Sequence, residues 1–430
     1  MTITEVPVIK SFKSILILSV FTLCYSLHAD ISEVSEASII YGEDNRLETY
    51  EVNATQQRLA KSTAGMIKKL KLVGVNDHYM LPPMTIDQEM GLCESERFYK
   101  QPSAVICSGF LIGPDLLVTA GHCVTTKEDC EKYSWVFDYK EEEKTKRTNI
   151  LVPKSKVFHC KELVEAKLVG SRASARDYAL IKLDRNVPQR EYLKYRTQGS
   201  IQVGEDILVI GHPSGLPTKV AADAQVTAIN GDYSFVSNLD TFGGNSGSAV
   251  FNERTNIVEG ILVRGAVDYV KDKENKCIRV NQVDHDIEGK SNLGEAVSKI
   301  TDIEVLKLRD QLLLATTRGD IKKLKKLYPK LAAKDINYDN NKNTLLHLAI
   351  KKRKMAAFKY LLSQKVALDN QNLDLETPLH LAAFYGNFTA AKLLIKAGAN
   401  PKIKDKFGVY PSKRTPYFAF ALRRYLKRFE

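Results

Sequence analysis

Past Leu27 the chain has no apolar run near the roughly 20 residues a membrane-spanning helix needs, so no span is expected in the mature protein. It has no C-x-x-C pair, and without that spacing no metal site is expected. It has no cysteine after Cys277, so any disulfide framework belongs to the earlier part of the chain. No nucleic-acid-binding motif is present, which removes base-specific readout from the candidate functions. Acid is scarce at one end. Residues 301–430 hold 27 Lys+Arg against 11 Asp+Glu, a net +16, whereas residues 1–300 hold 36 against 40, a net −4.

What is present suggests an exported protein of several parts. At 430 residues the chain is long for one domain, and 44% hydrophobic content supports a sizeable core. Lys10 and Lys13 precede an apolar run from Ile15 to Leu27, the pattern of a secretory signal covering 1–29. Cys24 lies in that segment. The six remaining cysteines, Cys93, Cys107, Cys123, Cys130, Cys160 and Cys277, form an even set, as expected of an oxidising, secreted or periplasmic destination.

From Cys107 onward short β-type runs alternate with turn residues: "SGFLIG", "LLVTAG", "YALIKL", "DILVIG", "VEGILV". This texture predicts an all-β sandwich or barrel. Near Ile300 it gives way to leucine- and lysine-rich helical sequence. There "NTLLHLAI" at Asn343–Ile350 is repeated as "ETPLHLAA" at Glu376–Ala383, 33 residues later. That period with a T-P-L-H-x-A core resembles ankyrin repeats, with a degenerate first copy at Leu312–Leu327 and a terminal one from Gly408. The resemblance implies an all-α solenoid over 305–430 that binds a protein partner. His347 and His380 are then scaffold, bonding the turn before each helix. The basic patches "IKKLKKL", "KKRK" and "LRRYLKRF" mark either solvated helix faces or a site for an anionic surface.

Three further motifs carry chemistry. "TAGHC" places His122 at the end of an apolar run, beside Cys123 and downstream of "CSG" at Cys107. "RDYALIKL" sets Asp177 at the mouth of a strand, and "GGNSGSAV" places Ser246 in a tight glycine turn. In this order they resemble the histidine, aspartate and serine motifs of chymotrypsin-fold serine peptidases, with Asn245 and Gly247-Ser248 as in bacterial glutamyl-endopeptidase-like members. The resemblance covers residues 39–300 and implies a trypsin-like pair of six-stranded barrels. It assigns His122 as base, Asp177 as its orienter and Ser246 as nucleophile, with the N–H groups of Gly244 and Ser246 as the oxyanion donors. His212 in "GHPSGLP" is a rival base, read instead as part of a tight loop.

The resemblance also implies a Cys107–Cys123 disulfide. Cys130–Cys160 and Cys93–Cys277 are the favoured remaining pairs, other pairings of these four staying open. Asp240, six residues before the serine, stands where the pocket base often lies; it would select Lys or Arg, or else bond backbone in its own loop. Arg264 departs from the glutamyl pattern and either narrows the pocket or recruits an acidic residue. "IIYGEDNR" at Ile39–Arg46 resembles a mature start, leaving 30–38 as a pro-segment. The expected function is exported serine endopeptidase, acting on protein or peptide substrates without metal or cofactor. The alternative is an inert or latent peptidase fold that acts through its ankyrin array.

Overall fold

In the computed structural model the described residues are 40–430, apart from 146, 149, 171–175, 266 and 284–293. The signal at 1–29, the pro-segment at 30–38 and Ile39 lie outside them. The described residues form one compact unit.

The short apolar runs pair as antiparallel strands and close twice. Thr63–Lys68, Cys107–Leu111, Leu116–Thr119, Tyr133–Phe137, Val157–Val169 and Arg176–Leu183 make the first barrel. Asp206–Gly211, Lys219–Asn230, Ser234–Ser237, Ala249–Asn252, Ile257–Arg264 and Glu295–Lys299 make the second, shut by pairing of its first two strands. Closure leaves no unpaired edge. Arg46–Glu48 adds to the outside of the second barrel along Lys219–Asn230. Inside the first, Phe110, Leu117, Trp135 and Phe137 are fully buried; Phe235, Val250 and Val297 fill the second. Three disulfides, Cys107–Cys123, Cys130–Cys160 and Cys93–Cys277, staple this region.

Paired helices follow: Glu304–Arg318 with Ile321–Leu331, Leu345–Lys351 with Met355–Ser363, and Pro378–Phe384 with Phe388–Lys396; Phe420–Leu426 comes last. Thr344 and Thr377 cap their helices together with His347 and His380. Each ring then reaches the next repeat. His347 Nε2 donates to the Glu376 carbonyl at 2.9 Å, and His380 Nε2 to that of Val409 at 3.2 Å. Burial lowers the pKa of His347 to about 4. The two histidines are thus neutral struts between repeats.

The array is not a loosely tethered module. Its apolar wall, including Leu306, Leu312 and Leu346, belongs to one continuous core with Leu111, Leu117 and Ile181 of the first barrel. Charged groups meet across the seam, Asp115 and Lys182 from buried positions. Asp115 takes Lys342 at 2.8 Å and the Tyr338 hydroxyl, Lys182 meets Asp335, and Tyr195 donates to Asp310 at 2.7 Å. Arg176 forms a two-point pair with Asp302, at 2.6 and 2.8 Å. Removing either partner of such a pair leaves the other poorly satisfied.

Candidate active site

The strand Leu116–Thr119 ends one barrel wall, and Ala120-Gly121 bend the chain to present His122. A Cβ at Gly121 would lie 2.1 Å from the Lys167 carbonyl oxygen, so the bend needs glycine. Asp177, buried near the start of Arg176–Leu183, grips His122 twice. Its Oδ1 accepts the His122 backbone N–H at 3.0 Å, and its Oδ2 lies 2.8 Å from the ring Nδ1. A carboxylate only accepts, so Nδ1 carries the proton and Nε2 is left as the basic nitrogen. The Asp177 N–H reaches Ser298 Oγ of the second barrel at 3.3 Å. The acid therefore sits on the line where the barrels meet.

Ser246 lies in the turn between the second barrel's Ser234–Ser237 and Ala249–Asn252. Gly244 and Gly247 have φ of 92° and 91°, the left-handed region, and a side chain at Gly244 would collide with the His212 carbonyl at 2.6 Å. Asn245 N–H donates to Phe242 O at 2.9 Å, Gly247 N–H to Leu262 O at 2.7 Å and Ser248 N–H to Asn245 O at 2.8 Å. Among the described residues, the N–H groups of Gly244 and Ser246 have no protein acceptor. Two unused donors beside one hydroxyl can stabilise a developing oxyanion. The serine turn also abuts the histidine turn: Cys123 Sγ lies 3.7 Å from the Ser246 carbonyl oxygen.

Ser108 ties these pieces together, a role its place in "CSGF" did not reveal. Its N–H donates to Ser246 O at 2.8 Å, and its hydroxyl donates to Gly244 O at 2.8 Å. The same hydroxyl accepts the His212 N–H at 3.0 Å, and its carbonyl accepts the Thr119 hydroxyl at 2.7 Å. One residue thus fixes both carbonyls flanking the candidate oxyanion donors. His212 itself is fully buried, stacked on Tyr139 with ring centroids 5.7 Å apart, and donates from Nδ1 to Leu216 O at 3.0 Å. Burial lowers its pKa to about 4. It supports the loop and is no rival to His122.

Beside Ser246 opens a cavity of about 460 Å³, lined in part by Phe242, Leu262, Arg264, Asp268 and Tyr269. Asp240 does not line it, which corrects the expectation of a pocket base there. Its Oδ1 accepts the Tyr41 N–H at 2.9 Å and its Oδ2 the Asn45 N–H at 3.2 Å, so it anchors the strand near the start of the described chain. Burial raises its pKa to about 6. Arg264 stands in the cavity and is exposed. The other charge there, Asp268, accepts the Gly243 N–H at 2.8 Å, and burial raises its pKa. No sequence signal had singled out Asp268, which reaches the cavity from a loop beyond the second barrel's Ile257–Arg264.

Comparison with known proteins agrees with both halves of this architecture. A family model described as a trypsin-like peptidase domain matches residues 107–261, and one for ankyrin repeats in three copies matches residues 312–405. A trypsin-like peptidase domain thus precedes ankyrin repeats in one chain. No curated protein matches. Among solved structures, a Glu endopeptidase in complex with MPD is similar at 19% identity, covering 63% of this chain and 97% of its own, with a TM-score of 0.36.

Proposed function

We propose that the chain is an exported serine endopeptidase in which His122, Asp177 and Ser246 form the catalytic triad. The observation that carries this reading is the double grip of Asp177 on His122, with the Ser246 turn lying against the histidine turn. In the first step His122 Nε2 takes the Ser246 hydroxyl proton as Oγ attacks the scissile carbonyl. Asp177 holds the ring in the required tautomer and stabilises the imidazolium. The N–H groups of Gly244 and Ser246 receive the oxyanion, a contribution of about 3 kcal/mol for one such donor. His122 then protonates the leaving amine, and water hydrolyses the acyl-enzyme by the same path reversed.

The cavity's exposed cation suits an acidic side chain before the cut bond, because a guanidinium and a carboxylate can pair through two hydrogen bonds. Asp240, held by backbone outside the cavity, selects nothing in this reading. The six paired cysteines fit an oxidising destination outside the cytoplasm. The array supplies a surface for protein recognition.

Labelling by a fluorophosphonate probe tests the reading. The oxidised protein starting at Ile39 should react, and Ser246→Ala and His122→Ala should not. Absence of labelling in protein with all three disulfides intact would overturn it.

A further inference from the structure

The helical array has two edges of opposite character. On one, the turns at 339–343, 372–376 and 405–409 stack through Leu373 N–H to Asn341 O and Lys406 N–H to Asp374 O, each 3.0 Å. In these turns Asp339, Asp374, Glu376 and Asp405 outnumber Lys342 and Lys406, and Phe407 is the one aromatic, 66% exposed. The other edge consists of the turns that join each helix to its partner. Those turns abut in a row: a Cβ on Gly319 would meet Lys354 at 3.0 Å, Asn387 reaches Met355, and one on Gly386 would meet Pro416 at 4.0 Å.

Along that row the 33-residue register aligns Lys351, Phe384 and Tyr417. After the R-G-D turn at Gly319, whose Asp320 caps the next helix through the Lys323 N–H, the following turns read K-K-R-K, F-Y-G-N-F and P-Y-F-A-F, with no acid in these three. Lys351, Lys352 and Arg353 are exposed and form no ion pair among the described residues. Tyr417 is 80% exposed and Phe418 and Phe420 are 69% exposed, with Phe384 and Phe388 also open to solvent beside them. Arg424, Lys427 and Arg428, just beyond, are exposed as well. A terminal repeat ordinarily needs a polar outer face, and this one displays three aromatic rings.

We propose that this edge docks on an anionic lipid surface, the aromatic turns entering the interfacial layer while the lysine and arginine turns lie against the headgroups. The chemistry is complementary on both counts. Aromatic rings favour the membrane–water boundary, and clustered unpaired cations are drawn to acidic headgroups. The docking is peripheral, since among the described residues no helix is long and apolar enough to cross a bilayer. It does not depend on the reactivity of Ser246.

The test uses the whole disulfide-bonded chain from Ile39 and sedimentation with vesicles of phosphatidylcholine, alone or with about 30% phosphatidylserine. Binding should require the acidic lipid and weaken with salt. Tyr417→Ser with Phe418→Ser and Phe420→Ser, and separately Lys351→Glu with Lys352→Glu and Arg353→Glu, should each weaken it by roughly tenfold or more. Both sets alter surface side chains, and far-ultraviolet circular dichroism checks that the fold is retained. Phe418→Trp adds a direct reading. Trp135 is the one native tryptophan and is fully buried, so a blue shift of this variant's emission on acidic vesicles reports entry of the indole placed at that position. No binding to acidic vesicles, binding that neither triple variant changes, or an unshifted emission from the Phe418→Trp variant would overturn the proposal. Equal retention on soluble polyglutamate would assign the edge to an acidic protein instead.

Discussion

The barrels and the array both rely on histidines, and they put them to opposite uses. In the first barrel His122 faces a carboxylate, with its ring partly open to solvent. In the array His347 and His380 lie between a threonine and a backbone carbonyl, sealed from water. A carboxylate partner accepts a hydrogen bond from Nδ1 and leaves Nε2 free to act as base in the proposed reaction. A carbonyl partner in a desolvated site favours the neutral ring, so the array histidines serve only as donors across repeats. The lesson is that the groups around a histidine decide its role, more than its burial alone.

The comparison is broken most severely at Asp177. Asp177→Asn should lower kcat by about 10⁴-fold with little change in thermal midpoint, because it removes the tautomer control and keeps the packing. His380→Ala, by contrast, should leave kcat unaltered and lower the midpoint; steady-state kinetics and calorimetry on both variants would show the crossing. Next in size is Ser108→Ala. Loss of the hydroxyl that holds Gly244 O should cost about 10²-fold in kcat with KM nearly constant, and Ser108→Thr should restore part of it. Equal losses in kcat and in folding stability would make Ser108 merely structural.

A smaller effect separates the regions by pH. His347 titrates ordinarily at 6.5, and in the fold its pKa lies at about 4, so the unfolded chain takes up the proton first. Its penalty is absent above pH 6.5 and grows as pH falls toward 4, reaching about 2 kcal/mol near pH 5. His212 acts in the same direction inside the barrels, so His347→Gln should flatten the acid limb of a denaturant-midpoint profile in part. A profile unchanged by His347→Gln would show that this ring is not the array's acid-sensitive point. The smallest effect concerns Arg264. Arg264→Ala should reduce kcat/KM for peptides with Glu before the cut by roughly tenfold and leave those with Leu nearly unaffected. Competition between the two peptide sets reads this directly.

Much of this was legible from the sequence because it is local. "TAGHC" and "GGNSG" are short strings in which the glycines, the turn and the functional side chain are neighbours, and the 33-residue period needs only counting. What was hidden depends on distant partners. Asp240 reads either as a pocket base or as a bond to backbone in its own loop; its oxygens are instead taken by Tyr41 and Asn45, nearly 200 residues away in sequence. Arg309 looks like one more exposed cation of a basic tail; it is buried, and donates to the carbonyls of Ile336 and Tyr338 at 3.1 and 2.9 Å. The seam between barrels and array was invisible for the same reason. Asp115 sits in the turn before Leu116–Thr119 and Lys182 in the strand Arg176–Leu183, and their partners come more than 150 residues later.

The continuous core has a consequence for timing. A chain emerges amino terminus first, so both barrels are available before the helices that cover Leu111, Leu117 and Ile181. Until then Asp115 and Lys182 lack Lys342 and Asp335. The newborn peptidase is thus a half-clothed intermediate whose last garment is the array. The seam closes only once residues 335–342 have been delivered.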